Sequence, residues 1–387
     1  MKNLSLFLCV LAFVSFTANA QEYKESEVQE CKTQAGVICD SNDTPINGTL
    51  KSYFEDGKLK SEATFKDGRA DGLAKDYYEN GVLGAEGNYK GDERDGLWKW
   101  YYEDGKLQAE TNYVNGKEEG ISKAYYPDGK LKKEVSYKQD KEDGPAKWYH
   151  ENGNLEMEGS AKDDRPDGVV KWYYEDGKLK AEVNYKDGKQ NGLAKWWYEN
   201  GNLKTETNYK NRREDGLTKW YHENGQLKKE VTYKDGKEDG TVKWYYDNGN
   251  LKEEAIYKNG KLEGPNTWYY ESGKIQGKAT FVNDKEEGVV LGYHENGNLD
   301  FERNFKNGKR EGISLGFYAN KNKRAEGNYK DGKKDGVWKW YHENGNLEKE
   351  AVCKDGKEDG PVKFYDENGK LKTDAPHESD VCILIGK

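Results

Sequence analysis

Hydrophobic and polar residues alternate in short runs along most of the chain, and the same runs return every 24 residues. Segment 192–215 shows the arrangement: an aromatic stretch from Gly192 to Tyr198 is followed by Glu199-Asn200-Gly201 and by the alternating stretch 203–209. Alternation with a period of two is typical of a strand with one more polar face. Asn-Gly favours the positive φ angles of tight hairpin turns. Each 24-residue unit is therefore predicted to be a β-hairpin.

Glycines mark the length and the number of the units. Three series of glycines run along the chain. The first has a spacing of 24 residues, the second follows it by nine residues and is interrupted only at Lys321, and a third, looser series includes Gly68. We expect all three series to lie in turns, with Gly72, Gly96, Gly192, Gly216 and Gly240 as structural turn glycines. The first series, whose members we call the anchor glycines, defines thirteen complete units and a partial one: Gly48, Gly72, Gly96, Gly120, Gly144, Gly168, Gly192, Gly216, Gly240, Gly264, Gly288, Gly312, Gly336 and Gly360.

Aromatic residues occupy fixed columns after the anchor glycines. Consecutive aromatic residues point to opposite faces of a strand, so both faces of the sheet are predicted to carry aromatic surface. Rings of this kind either hold a thin sheet together or also recognise a ligand, because Trp and Tyr suit protein hot spots and can stack on sugars. The candidate interaction residues stand four positions after the anchor glycine: Trp100, Trp148, Trp172, Trp196, Trp220, Trp244, Trp268 and Trp340.

Stacked hairpins predict an all-β fold, an elongated single-sheet ribbon or solenoid of tandem 24-residue units. Each unit would contact mainly its neighbours. The two ends of such a sheet would be open edges, which proteins usually cover. We therefore assign residues 48–371 to the repeat array, 21–47 to an N-terminal cap and 372–387 to a C-terminal cap.

The first twenty residues resemble a processing segment. Lys2 precedes an apolar run from Leu4 to Phe16, and Ala18-Asn19-Ala20 has the form of a cleavage site. These features predict a secretory signal peptide over residues 1–20 and an exported mature chain. The expected location is the periplasm, the outer surface or the extracellular space.

Four cysteines remain once Cys9 is removed with the signal peptide. An even number in an exported protein indicates disulfides. We propose the pairs Cys31–Cys39 and Cys353–Cys382, with free buried thiols as the alternative. Four cysteines allow three connectivities, and the spacing does not choose among them.

Composition and charge exclude several classes of partner. The hydrophobic fraction is only 33%, but 29 Tyr, 11 Trp and 10 Phe supply the apolar surface that a disordered chain lacks. The net charge is −9, and basic and acidic residues are interleaved. Neither the basic stripe of a nucleic-acid-binding protein nor the basic cluster of a protein that binds anionic membranes is present. No stretch after the signal peptide is long and apolar enough to cross a membrane.

Candidate catalytic and metal-binding residues have simpler explanations. His150, His222, His294 and His342 share one repeat position, so they would lie units apart and not around one ion. A glutamate recurs in nearly every unit two residues from a lysine, which indicates a solvated Lys/Glu ladder and not a pair of catalytic carboxylates. The acidic turns lack the spacing of a calcium loop, and no nucleophile or phosphate-loop motif occurs. We predict no catalytic residue, no metal ligand, no cofactor and no enzymatic activity.

The repeat grammar resembles that of a known family. Segment 326–340, with Gly327, Tyr329, Gly332, Gly336 and Trp340, is similar to the MORN repeat, and the recurrent N-G-x-L-K-x-E-x-x-Y-x-D-G-K-x-x-G is similar to its bacterial variant. Proteins with this variant are often labelled YwqK-family antitoxins. The resemblance covers residues 48–371 and implies a scaffold for protein assembly, with lipid contact in some eukaryotic relatives.

Three functions fit these expectations. The first is an exported, non-enzymatic scaffold that binds proteins at the cell envelope or surface, in adhesion or host contact. The second is a glycan-binding or envelope-binding module that uses the Trp and Tyr columns. The third is an antitoxin-like inhibitor, which requires a toxin partner in the same compartment.

Overall fold

The computed structural model describes residues 21–375, with side chains to residue 372, and this part of the chain is almost entirely β. The exception is one short 3-10 helix, Glu25–Glu27. The prediction of an all-β fold of tandem hairpins is confirmed. The chain divides into two compact units, Met1–Arg165 and Pro166–Lys387. The predicted signal peptide and the cysteines Cys9 and Cys382 lie outside the described residues.

In the first unit, an open sheet is built from hairpins that follow one another along the chain. Each strand from β4 onward pairs antiparallel with the next, and β1 pairs in parallel with β4. The strands β1 to β13 are Glu22–Lys24, Val28–Glu30, Ile38–Asp40, Gly48–Tyr53, Leu59–Lys66, Arg69–Tyr77, Leu83–Lys90, Glu93–Tyr101, Leu107–Val114, Lys117–Tyr125, Leu131–Lys138, Lys141–Tyr149 and Leu155–Lys162; β14, Arg165–Pro166, lies at the boundary.

The second unit repeats this antiparallel order, with the first strand of a repeat broken into two pieces in three places. Its strands β15 to β35 are Gly168–Tyr173, Leu179–Lys186, Lys189–Trp197, Leu203–Lys210, Arg213–Glu214, Gly216–Tyr221, Leu227–Lys234, Lys237–Tyr245, Leu251–Lys258, Lys261–Tyr269, Ile275–Val282, Lys285–Glu286, Gly288–Tyr293, Leu299–Lys306, Lys309–Phe317, Lys323–Lys330, Lys333–Tyr341, Leu347–Lys354, Lys357–Glu358, Val362–Tyr365 and Leu371–Ala375.

Two of the three glycine series lie in turns, as predicted. Asp67 and Gly68 connect β5 to β6 with φ angles of 50° and 73°, and two positive φ angles in a two-residue loop are the requirement of a type I′ hairpin turn. The second series lies at the opposite end of the hairpins, where Gly57 has a φ of 84° and its N–H donates to the carbonyl of Phe54.

The anchor glycines do not lie in turns, so that prediction is wrong. Gly144 has a φ of 116° inside β12, where three residues lie opposite one on β11: Val135 pairs with Ala146, but Tyr137 pairs with Glu142. This is a β-bulge, which bends the strand and requires a residue that tolerates positive φ. A turn and a bulge demand the same φ, so the glycine alone does not distinguish them. The same holds for Gly72, Gly96, Gly192, Gly216 and Gly240, all within or at the start of strands with positive φ.

A single row of small residues forms most of the core, on one face of the sheet. The second residue after most anchor glycines meets a small residue across the hairpin, as in the pairs Val242–Ala255 and Thr218–Val231. These four side chains are completely buried. Because the candidate tryptophans lie two residues further along the same strands, they share this face, which we call the tryptophan face. The opposite face, which carries the lysines and glutamates, is the ladder face.

Residues before the repeats lie against the first hairpin. Cys31 and Cys39 form a disulfide, and both are buried together with Val37. The Ile38 N–H donates to the carbonyl of Gly68, at 2.8 Å, in the first type I′ turn. The backbone of β3 is thereby tied directly to the start of the repeat array.

Candidate interaction surface

The predicted tryptophan column is mostly engaged in packing. Seven of its eight members are partly buried, and Trp340 is buried. Trp196 contacts Tyr209 of the same hairpin by an edge, with ring centroids 6.5 Å apart, and similar contacts recur in other repeats. The ammonium of Lys229 lies 5.4 Å and 5.0 Å from the ring centroids of Trp220 and Trp244. These rings shield the small-residue row, and less of their surface is available for a ligand than the sequence indicated.

The ladder face carries the predicted alternation of lysine and glutamate. Lys243 lies 4.0 Å from Glu230 and 3.5 Å from Glu254, which flank it across two hairpin pairings. A tyrosine completes each group, since the Tyr245 hydroxyl donates to Glu230 at 3.1 Å. Burial, and then the hydrogen bond to its glutamate, raises the pKa of the corresponding Tyr221 to about 12. The glutamates are therefore partners in a network of ion pairs and hydrogen bonds.

Beside the ladder runs a row of exposed aliphatic side chains that sequence reasoning missed. Leu193 and Ile313, each the first residue after an anchor glycine, are 38% and 57% exposed. The residue across the hairpin is usually Asn, Ser or Thr, as in Leu193–Asn208 and Ile313–Asn328. The sequence could have indicated this row, because its residues are one position away from the buried small residues along the strand and therefore point to the opposite face. The aliphatic row comprises Leu73, Leu97 and Ile121 in the first unit and Val169, Leu193, Leu217, Val289, Ile313 and Val337 in the second.

The histidine column belongs to a hydrogen-bonded edge that connects successive hairpins. The hydroxyl of Tyr198 donates to the carbonyl of Tyr221 at 2.9 Å, and the same bond recurs at most repeats. His294 occupies the tyrosine position, and its Nε2 lies 3.0 Å from the carbonyl oxygen of Phe317. His342 makes the equivalent contact with Tyr365 at 3.2 Å. At these two positions histidine thus replaces tyrosine as a donor, whereas the Nδ1 of His222 lies 3.0 Å from Asp247.

Replacing Tyr174 by phenylalanine tests this edge. The Tyr174 hydroxyl donates to the carbonyl of Trp197 at 2.7 Å, and Phe54 shows that phenylalanine occupies the same repeat position. We expect the Tyr174→Phe variant to lose about 1 kcal/mol of unfolding free energy, measured by urea denaturation followed by circular dichroism. The control is Tyr53→Phe, at an exposed ring. Equal losses in the two variants would contradict the assignment.

Two cysteines before the repeats lie close to a carboxylate, but they are joined to each other. Within residues 21–375, the one group of three potential ligands is Cys31, Cys39 and Asp43, and the two sulfur atoms are joined in the disulfide. Cys353 is buried against Trp338 and Trp340. Its pairing with Cys382 stays a prediction, because Cys382 lies outside the described residues. In that described part, no helix is long and apolar enough to cross a membrane.

Comparison with solved structures shows only weak similarity. The crystal structures of TcdB2-TccC3-TEV and of TcdB2-TccC3 align with 87% and 84% of this chain at 12% and 13% identity, each with a TM-score of 0.16. The Photorhabdus luminescens Tc holotoxin pore aligns with 87% of it at 12% identity and a TM-score of 0.12. The chain spans only 20%, 18% and 17% of those chains, and at these TM-scores the likeness carries no conclusion. No curated protein matches the sequence.

The family comparison covers most of the chain. The family described as MORN repeat variant matches residues 46–67, 70–90, 94–115, 118–139, 142–163, 166–187, 190–211, 214–235, 238–259, 262–283, 286–307, 310–331, 334–354 and 358–378. Such repeats form scaffolds, which indicates interaction with proteins or membranes and is not typical of enzymes. The antitoxin label stays a hypothesis. The matched ranges coincide with the hairpins, and this chain belongs to the family of MORN repeat variants.

Proposed function

We propose that this chain is an exported, non-enzymatic scaffold that binds partner proteins along its aliphatic row. The observation that carries the proposal is the row itself. Exposed apolar side chains that form a continuous surface, unlike single scattered ones, are typical of interaction sites. Leu193 and Leu217 are 38% and 43% exposed in consecutive repeats of the second unit. Two strands per repeat separate them by about 10 Å.

The charges beside the row favour a protein partner over a membrane. Lysines and glutamates alternate there and form ion pairs, as in Lys219–Glu206 at 3.8 Å. A surface that binds anionic lipid would need an excess of basic residues. Alternating signs next to an apolar row instead suit a partner with its own pattern of polar and apolar side chains.

Two observations support export. The segment 1–20 has the features of a signal peptide, and the Cys31–Cys39 disulfide is of a kind that persists in oxidising compartments. Adhesion and host contact are the uses that we propose for such a scaffold. Glycan binding has less support than protein binding, because the tryptophan rings that it requires are partly buried in packing contacts.

Affinity purification from the native cell envelope tests the proposal. The variant Leu193→Thr/Leu217→Thr makes the row polar and uses a residue that Thr241 already places at this position. We expect it to retain partner proteins about tenfold less strongly than the wild type, because two apolar contacts are lost. The control, Glu199→Gln/Glu223→Gln, changes exposed turn residues and should retain them fully. Recovery of the same proteins by all three chains, or of polysaccharide alone, would contradict binding through the row.

A further inference from the structure

The Lys/Glu ladder is interrupted at one place in the second unit. Glu302 pairs across the strands with Leu291 on one side and Leu315 on the other. In most repeats both of these positions are lysines, as around Glu230, which pairs with Lys219 and Lys243. Glu302 has therefore lost both neighbouring cations.

The third partner of the carboxylate is missing as well. In the following repeat the hydroxyl of Tyr341 donates to Glu326, and Lys323 lies 2.7 Å from the same carboxylate. The residue that corresponds to Tyr341 for Glu302 is Phe317, which has no hydroxyl. Across the described residues, the Glu302 carboxylate accepts no hydrogen bond and forms no ion pair. Lys278, the nearest lysine along this row, is exposed and lies on the strand beyond Leu291.

Apolar side chains flank this partly buried carboxylate across the strands, whereas along its own strand, two residues away, Asp300 forms an ion pair with Arg324 at 3.0 Å. Val289 and Ile313, of the aliphatic row, are 46% and 57% exposed. Leu291, Leu315 and Phe317 are partly buried. We call these five residues the apolar patch. Nowhere else on the described ladder face do the first, third and fifth residues after an anchor glycine all lack charge and hydroxyl in the same repeat, as they do at Ile313, Leu315 and Phe317.

We propose that Glu302 and the apolar patch form a docking site for a partner-protein segment that presents an arginine or lysine among aliphatic residues. This inference rests on the scaffold function proposed above and names the chemistry of one partner. A carboxylate among apolar groups without a cation is unfavourable, and an incoming cation removes that cost. The long stems of Arg and Lys cover apolar surface while their charged heads reach a carboxylate. A guanidinium can also lie over the ring of Phe317.

The site favours this occupant over two others. Anionic lipid headgroups would be repelled by Glu302. A second copy of this chain would present lysines that already form ion pairs with their own glutamates, such as Lys339 with Glu350 at 3.6 Å. A basic peptide segment whose cations have no such ion pairs does not have to break one in order to bind Glu302.

A randomised octapeptide library displayed on phage, selected on the full chain, tests the site. The decisive variant is Leu291→Lys/Leu315→Lys/Phe317→Tyr, which restores the ladder of the other repeats and should be at least as stable as the wild type. We expect the selected peptides to contain Arg or Lys beside aliphatic residues. Their affinity should fall at least about tenfold on this variant and on Glu302→Gln. Glu199→Gln/Glu223→Gln, at exposed turn residues of other repeats, should bind them as the wild type does.

Several outcomes would overturn the site. These are selection of no peptide, selection of peptides without a basic residue, and equal binding to the restored-ladder variant. Dimerisation in sedimentation velocity that is abolished by Leu291→Lys/Leu315→Lys would assign the patch to a second copy of the chain. Binding that is lost only in Leu193→Thr/Leu217→Thr would overturn this site and leave the proposed scaffold function standing.

Discussion

Replacing Gly327 by alanine is expected to lower the unfolding free energy of the surrounding repeats by about 3 kcal/mol, because the new methyl group overlaps a buried ring. A Cβ at Gly327 would lie 2.2 Å from the ring of Trp338. Trp338 is 3% exposed, and its indole N–H donates to the carbonyl of Asn328 at 3.0 Å. The ring also contacts Tyr329 by its edge, with centroids 5.2 Å apart. It therefore cannot move aside without loss of these contacts.

A second substitution should reverse much of this loss. Adding Trp338→Val to Gly327→Ala gives a combination of small side chains like the one that faces across neighbouring repeats elsewhere, as in Val231 with Val242. Hydrogen exchange of the amides in β30 and β31 is the appropriate measurement, because repeat arrays need not unfold in one step.

Gly316→Ala is the matched control for Gly327→Ala. The nearest atom to its added Cβ, on Arg324, lies at 3.5 Å, so we expect a change below about 1 kcal/mol. Equal protection losses in Gly316→Ala and Gly327→Ala, or no recovery in the double variant, would contradict the steric explanation.

This contact also shows what the sequence could predict and what it could not. The period and the alternation predict the hairpins, and both type I′ turns and longer turns follow from local residue types. Alternation does not say which face is buried when no second layer covers the sheet. The larger tryptophans were therefore the expected interaction surface, but the small row of Val242 and Ala255 needs their cover. The exposed face instead carries Leu193 and its equivalents.

The candidate docking site was beyond sequence reasoning for a different reason. Glu302 looks like any other glutamate of its column until its neighbours across the sheet are known. Those neighbours, Leu291 and Leu315, belong to different hairpins, and their pairing depends on the bulge that follows each anchor glycine. A glycine that predicts a turn does not predict this register. The loss of partners therefore becomes visible only once the strands are paired.

A buried cation near the end of the array leads to the second large effect. Lys334 is 7% exposed, and its ammonium lies 4.4 Å and 4.8 Å from the ring centroids of Trp338 and Trp340. Within the described part of the chain it has no hydrogen-bond acceptor. Burial lowers the pKa of Lys334 to about 8; the Lys349 and Arg310 cations act in the same direction and Glu358 acts against them.

Lys334 is expected to contribute a rise of about 1.5 kcal/mol to the free energy of unfolding between pH 8 and 9.5, measured as the difference between the wild type and Lys334→Met. An unfolded lysine titrates near pH 10.4, so the unfolded chain binds more protons than the folded chain in this window, and raising the pH favours the folded state. Tyrosines act in the opposite direction from about pH 9, where an unfolded tyrosine begins to lose its proton. Burial raises the pKa of Tyr341 and its equivalents in the folded state. The titration of these tyrosines therefore lowers the free energy of unfolding as the pH rises.

Lys334→Met should abolish the rise and be more stable than the wild type at pH 7, because an uncharged side chain of similar length fills the space between the two rings. Urea denaturation at pH 7, 8, 9 and 9.5 measures both effects. Lys333→Met, at an exposed neighbour, is the control and should keep the wild-type profile. A rise that persists in Lys334→Met would show that another group titrates. A lower stability of this variant at pH 7 would instead show that the two tryptophan rings stabilise the cation by more than its burial costs.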